Sequence, residues 1–440
     1  MFTCPKHGSN SAGTGGRQGA VVPIDAGDTA WLLTCTALVL LMTPGLAFFY
    51  AGMVRAKNVL AMLMQNYVAI GVVSVVWVVV GYSLAFGADI GGGLLGGLRF
   101  SGLANMNEPV PGIALTVPPL LFAAFQMMFA VVTVALLAGA IADRVRFGAF
   151  VLFAGLWAIV VYAPLAHWAF SPQGWMARMG VLDFAGGTVV EIDCGAAALA
   201  LALVVGRRHG WPREAMPPHS LPLTLLGAGL LWFGWFGFNA GSALHANGLA
   251  VSALVATHLA AVGGMLAWIG VERLRTGSAT TLGAASGAIA GLVAITPACG
   301  FLQPLPALLL GAIAGGASLV AVQVKHRLGY DDALDVVGVH YVGGVIGMLF
   351  VGLAATTAVN PGIVREGLLY GGGAGLLGRQ AVAVLAATAW AFCATWLLAK
   401  AVNRVLPLRV SAEQEQVGLD QTLHAETAYD FGSVRSLGRL

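Results

Sequence analysis

The chain has 440 residues, 58% of them apolar and only 9% charged, against about 25% charged residues in a water-soluble protein. The 22 basic and 19 acidic residues give a net charge of +3, too weak and too scattered for a nucleic-acid surface. The composition excludes a string of soluble domains and points to an all-α polytopic membrane protein, because the uncharged runs are about 20 residues long and at 1.5 Å per residue cross about 30 Å of hydrocarbon.

The first 28 residues are polar and glycine-bearing, with no basic region followed by an apolar core, so they read as an extracytoplasmic segment and not as a cleaved signal. Eleven helices are then expected at about 30–53, 59–86, 116–140, 147–169, 185–206, 219–239, 249–271, 280–297, 306–325, 336–356 and 380–401. Together they form a transmembrane domain over 29–403, followed by a cytoplasmic tail over 404–440. With the N-terminus outside, 16 of the 22 Lys and Arg residues fall on the inner side, among them Arg55, Arg144, Arg208 and Lys325. That asymmetry favours an N-out, C-in topology, which an odd number of helices satisfies. The connections 87–115 and 357–379 are rich in Gly and Pro and are expected to fold against the outer face. The tail either docks on the inner loops or stays a mobile solubilising appendage.

Ionisable groups inside apolar helices are costly and mark pathways or partners. The fifth run carries Asp183, Glu191 and Asp193, and the tenth carries Asp335 and His340; His167 and His258 are others. Asp183 suits either a helix cap or a cation attractor. Glu191 lies eight residues further on, about 12 Å deeper. A carboxylate beside an imidazole in a narrow cavity can share, accept or relay a proton. Asp193 is read as an interhelical hydrogen-bonder or as part of an inner vestibule. Helices one to five and six to ten make two five-helix units of opposite orientation, so Asp183 to Glu191 and Asp335 to His340 occupy matching places in a five-plus-five inverted repeat.

Rings form a second group. The third run has Phe125, Gln126 and Phe129, the fourth ends with Phe170, and the sixth carries Trp235, Phe238 and Ser242 among glycines 234, 237 and 241. Aromatic faces attract a small cation and a hydroxyl oxygen accepts its hydrogen bond. Rings near helix ends also serve as an interfacial belt. The steps Gly283, Gly287, Gly291 and Gly311, Gly315 read as helix packing. Five cysteines lie far apart without CxxC spacing, so neither a metal site nor a disulfide framework is expected. No nucleophile elbow, HExxH or dinucleotide fingerprint suggests an enzyme, and no cofactor is expected.

The strings Leu182-Asp-Phe-Ala-Gly-Gly-Thr-Val-Val190, Gly234-Trp-Phe-Gly-Phe-Asn-Ala-Gly-Ser242, Ile289 to Gly300 and Gly338-Val-His340 resemble the ammonium transporter family, the Amt/Mep branch of Amt/Mep/Rh. Phe49 to Asn58 and the tail string Gly418 to Tyr429 resemble it as well. The resemblance implies ammonium or methylammonium as substrate, a homotrimer with one pore per protomer in a bacterial inner membrane, and a possible cytoplasmic regulatory partner of the PII type. It implies an outer ammonium site of Phe129, Ser242 and Phe170 supported by Asp183, a gate of Phe129 and Phe238, and a lining of Phe125, Gln126 and Trp235. At the pore centre the family pattern has two histidines; His340 matches the second and Glu191 stands at the first. Phe170 stands where Trp is usual. Both departures leave room for a rival reading, an ammonium sensor with slow or no transport.

Overall fold

The computed structural model describes residues 23–429; residues 1–22 and 430–440, including most of the N-terminal segment, Cys4 and the last part of the tail, lie outside them. Among the described residues, ten helices are long and apolar enough to cross a membrane. In chain order, with a shorter apolar helix among them, they are α1 (Ala26–Met53), α2 (Ala56–Phe86), α3 (Pro119–Ala140), α4 (Phe147–Met179), α5 (Gly187–Val205), α6 (Leu221–Gly241), α7 (Gly248–Thr276), α8 (Thr281–Ile295), α9 (Pro304–Leu328), α10 (Val337–Ala354) and α11 (Gly375–Val405). Each falls on one of the ranges expected from hydropathy. The difference is α8, which has 15 residues and gives way to a turn, 296–300, buried throughout. Pro297 has no N–H to continue the ladder.

Glycine lets the helices meet. α1 and α6 lie along each other because Gly227, Gly234, Gly237 and Gly241 face Phe49, Met42, Leu38 and Cys35, where any Cβ would collide. Gly311 and Gly315 of α9 abut the backbone of Ala260 and Gly264 on α7, and Gly291 of α8 abuts Ala260 as well. The expected glycine steps are therefore contact surfaces.

Among the described residues four helices contain a π-helical turn: Trp77–Gly81 in α2, Ala158–Tyr162 in α4, Gly187–Ile192 in α5 and Val337–Tyr341 in α10. Such a turn inserts an extra residue and re-aims side chains, often at functional sites. Glu191 and His340 both sit on one.

A network of charged residues gathers at one end of the bundle. Asp143 accepts from Arg55 at 2.9 Å and from Asn58 at 2.5 Å. Arg208 grips Asp331 with two nitrogens at 2.8 and 3.0 Å. Arg144, fully buried, donates to the carbonyls of Asp331 and Gly206. Burial raises the Asp331 carboxyl, but Arg208 and Arg144 outweigh it and hold it below the ordinary carboxylate range.

The tail docks on this end. Residues Val145 and Arg409 form an antiparallel bridge, and two short helices follow, α12 (Ala412–Val417) and α13 (Leu419–His424). Glu415 is buried, accepting from the His209 amide at 2.6 Å and from Arg409 at 2.9 Å. Asp420 accepts from the Ala61 amide at 2.8 Å, and Asn58 accepts from the Leu419 amide at 2.8 Å. Lys57 donates to the Gln416 carbonyl. Through residue 429 the appendage is a fitted part of the fold.

At the opposite end the connection after α2 folds back, with an Asp89 to Gly96 bridge and the Leu94 carbonyl accepting from the Trp168 indole. The connection after α10 is tied down where the Ala355 carbonyl accepts from Gly367 and the Phe301 carbonyl from Thr356.

Candidate functional site

The site begins at the start of α5. Asp183 is 3% exposed, and its two oxygens accept from the amides of Gly186 (2.9 Å), Gly187 (2.6 Å) and Thr188 (2.8 Å) and from the Thr188 hydroxyl (2.5 Å). These are the orphan donors of a helix N-terminus. Of the two readings of Asp183, the geometry matches the cap: both oxygens are engaged by its own chain.

Helix α10 has a similar cap, but not at Asp335. Asp332 is 1% exposed and accepts from the Val337 amide at 2.7 Å, capping α10. Its separation from His340 is eight residues, the same as from Asp183 to Glu191. Asp335 instead pairs with Lys325 at 2.5 Å. Burial pushes the Asp332 carboxyl up to about 6. A sequence reading could have preferred Asp332 on the eight-residue spacing, the one signal that separates it from its acidic neighbours.

The two caps bring Glu191 and His340 face to face. Glu191 Oε2 lies 2.7 Å from His340 Nδ1, with Glu191 0% and His340 5% exposed. Close approach of the backbones is allowed by Gly195, which lies against Tyr341, and by Gly344, which lies against Glu191. Two small cavities, about 20 Å³ each, meet at the imidazole. One is lined by Glu191, His340, Trp235, Phe238, Met42 and other apolar side chains. The other is lined by His340, Tyr50, Ser286 and Asp335 among others.

Above the first cavity the rings close the way. Phe129 and Phe238 stack with centroids 4.1 Å apart and planes at 22°. Phe170 stands edge-on to Phe129 at 6.4 Å, and Phe125 edge-on to it at 5.0 Å. Trp235 packs on Phe238 at 5.8 Å and donates its indole N–H to Thr296 at 2.9 Å. Ser242 donates to the Phe238 carbonyl at 2.8 Å, so its oxygen keeps lone pairs for an incoming donor. Gln126 is buried with its carbonyl oxygen unpartnered among the described residues.

Other intramembrane groups stand apart from this line. Asp193 is fully buried, and neither of its oxygens has a hydrogen-bond partner among the described residues; the expected interhelical bond is not made. His167 sits 2.8 Å from the Ala85 carbonyl and 3.4 Å from Asp89. His258 packs beside Trp232 and Phe236. Cys194 is buried, and its sulfur, a Glu191 oxygen and a His340 nitrogen all lie within 4.8 Å of one another. Cysteine spacing along one chain segment could not reveal it, since the donors come from two helices. Cys393 is exposed.

Residues 30–429 match the model of the Ammonium Transporter Family. The chain belongs to that family. It is 51% identical to the ammonium transporter of Mycobacterium tuberculosis (strain ATCC 25618 / H37Rv) over 437 residues, covering 92% of this chain and 91% of that one. It is 48% identical to the ammonium transporter of Bacillus subtilis, with 92% and 98% covered. Among solved structures, Saccharomyces cerevisiae Mep2 superposes with a TM-score of 0.82 at 36% identity, covering 89% of this chain and 88% of that one. A structure described as a sensor Amt protein gives 0.82 at 30% identity, covering 90% and 97%. As a member of the ammonium transporter family, the chain is a multi-pass plasma-membrane transporter and not an enzyme, with Glu191 in place of one pore histidine.

Proposed function

We propose that the chain moves ammonium across the membrane by stripping it of water at an aromatic mouth and passing nitrogen and proton by way of Glu191 and His340. The observation that carries this reading is the 2.7 Å carboxylate–imidazole contact at the junction of two cavities, directly below a stacked phenylalanine pair.

The steps follow from the chemistry of each group. Phe129 and Phe170 offer ring faces and edges around one point, and the Ser242 oxygen accepts an N–H; together they favour a small cation that donates hydrogen bonds. The Phe129–Phe238 stack admits the nitrogen once its water is left behind. Beyond it the cavity wall is apolar apart from a few polar atoms, where an uncompensated charge is costly. Glu191 supplies the compensation: its carboxylate attracts the cation or takes its proton, and His340, which also lines the lower cavity, hands a proton on. Potassium has no N–H to give, so neither Ser242 nor Glu191 can replace its water by hydrogen bonding.

The site roles assigned to Phe125, Gln126, Trp235 and Asp183 belong to the same reading: the first three line the gate, and Asp183 holds the start of α5. The domain division is 1–28, 29–403 and 404–440. An eleventh crossing is supported by α8, about 22 Å long at helical rise and continued by a buried turn. An inverted repeat is supported by the matching caps and π-helical turns of α5 and α10. The N-out orientation is supported by the arginine-rich end to which the tail is bound. The homotrimer and a PII-type partner at that end rest on the family resemblance.

The test is uptake of labelled methylammonium into vesicles reconstituted with the purified protein. Uptake that saturates, resists potassium and falls in Glu191→Gln is expected. A sensor with slow transport would bind the ligand with no flux.

A further inference from the structure

We propose that the centre of the pore is also a trap for a soft monovalent metal ion, silver(I) or copper(I), held by Cys194, His340 and Glu191, and that the trapped ion plugs the pathway. The inference rests on the reading of these cavities as the ammonium route.

Three observations converge. A thiol, an imidazole and a carboxylate, all buried, present donor atoms within 4.8 Å of one another, a spread that small side-chain movements bring to coordinating distance. Glu191 uses only Oε2 on His340; its Oε1 has no partner among the described residues and the residue is 0% exposed. The thioether-bearing Met42 lines the same cavity as Glu191 and His340.

The donor set selects the metal. Thiolate and thioether sulfur favour soft ions such as copper(I), and imidazole accommodates them. The route selects the charge. An ion entering between Phe129 and Phe238 is stabilised by ring faces that suit one positive charge, whereas a divalent ion would bring twice the charge into a dry passage. A soft ion of charge +1 lacks the N–H of ammonium, as potassium does, but its polarisable shell lets ring faces and sulfur replace its water where potassium's hard shell does not, so it passes the mouth and stops where thiol and imidazole meet it.

Binding balances without redox change. The Cys194 thiol now points at the Glu191 carbonyl, 3.4 Å away. Its S–H bond breaks as the S–metal bond forms, the proton leaves through the cavity to solvent, the Glu191 carboxylate stays ionised as a ligand, and the metal remains +1. His340 contributes a neutral nitrogen as second ligand.

The experiment uses the purified full-length chain carrying Cys4→Ala and Cys393→Ala, titrated with silver nitrate in chloride-free buffer. Calorimetry is expected to give one ion per chain, and silver-edge X-ray absorption is expected to show both sulfur and nitrogen neighbours. Cys194→Ser, with Cys194→Ala as a second variant checked for monodispersity, is expected to weaken binding by at least about 100-fold, since even outer-shell changes cost up to that much. On a solid-supported membrane, silver should abolish the ammonium current of the parent and a small thiol should restore it, while the Cys194 variants resist. Undiminished affinity and block in both variants, or silver bound by sulfur alone, overturns the proposal. Absence of any ammonium current in the parent sinks the transport reading instead, and the titration still decides the metal site.

Discussion

Asp183→Asn exchanges one oxygen for an NH2 group and is nearly isosteric, so it isolates the cap. The carboxylate serves three amides and one hydroxyl at 2.5 to 2.9 Å. If the amide oxygen takes the place of Oδ1, Gly186 and Gly187 keep an acceptor but lose its charge, about 1 kcal/mol each. The Thr188 amide then faces another donor and is left unpaired, costing about 1 to 3 kcal/mol. The Thr188 hydroxyl can turn and accept, at little cost. The sum is about 3 to 5 kcal/mol, undiminished by solvent because Asp183 is 3% exposed. That strain falls on the π-helical turn Gly187–Ile192, which aims Glu191 at His340. The purified variant should lose several degrees of apparent melting temperature and most methylammonium uptake, while Asp183→Glu should keep part of both. An Asn variant with full uptake and unchanged melting would refute the idea that this cap positions Glu191.

Other consequences are as direct. Phe238→Ala removes one face of the 4.1 Å stack and should cost about 3 to 5 kcal/mol; potassium-sensitive leak in vesicles is the expected readout, and retained ammonium-over-potassium selectivity would count against the gate. Asp332 has its carboxyl raised to about 6 by burial, so the folded state holds the proton longer than the unfolded chain does. This residue therefore favours folding below about pH 4 and loses that contribution as pH rises through 6; Asp332→Asn should flatten the slope of melting temperature against pH in that window. Asp331 has the opposite sign: its Arg208 contact stabilises above the ordinary carboxylate value and is lost only as pH falls below about 4, which acid-dependent melting of Asp331→Asn against the parent would show. Glu415→Ala leaves the His209 amide and Arg409 without their acceptor and should loosen residues 411–424 by about 2 to 4 kcal/mol, read as faster hydrogen exchange there.

The helical ranges and the central pair were legible because hydrocarbon is a severe solvent. A carboxyl and an imidazole in the middle of apolar runs stand out at once, and their equal depth in two helices suggested that they meet. Ring types and glycine spacing marked a ring-lined constriction in the sixth run, while the pairing of Phe129 with Phe238 came only from the family resemblance. What escaped notice depends on three-dimensional detail. Asp332 and Asp335 lie three residues apart in one polar string, and only the positions of the Val337 amide and Lys325 tell the cap from the ion pair. Cys194 lies three residues from Glu191 on one helix, a face-sharing spacing, but it joins His340 only across to a second helix. Asp193 could be read as an interhelical hydrogen-bonder or as part of an inner vestibule, and the first reading does not hold: its oxygens have no hydrogen-bond partner among the described residues. The tail could not be assigned to docking or mobility from its composition, since Glu415 and Asp420 look like any solvated acids until His209 and Ala61 are placed beside them.

The most direct measurement is the transient current on solid-supported membranes carrying the parent protein, Glu191→Gln or Glu191→His, driven by ammonium or by potassium over a range of external pH. The expected result is an ammonium current with little response to potassium, a large loss in the Gln form, and a changed pH dependence in the His form, whose pair can no longer offer a carboxylate. Equal currents and identical pH profiles in all three proteins would contradict it.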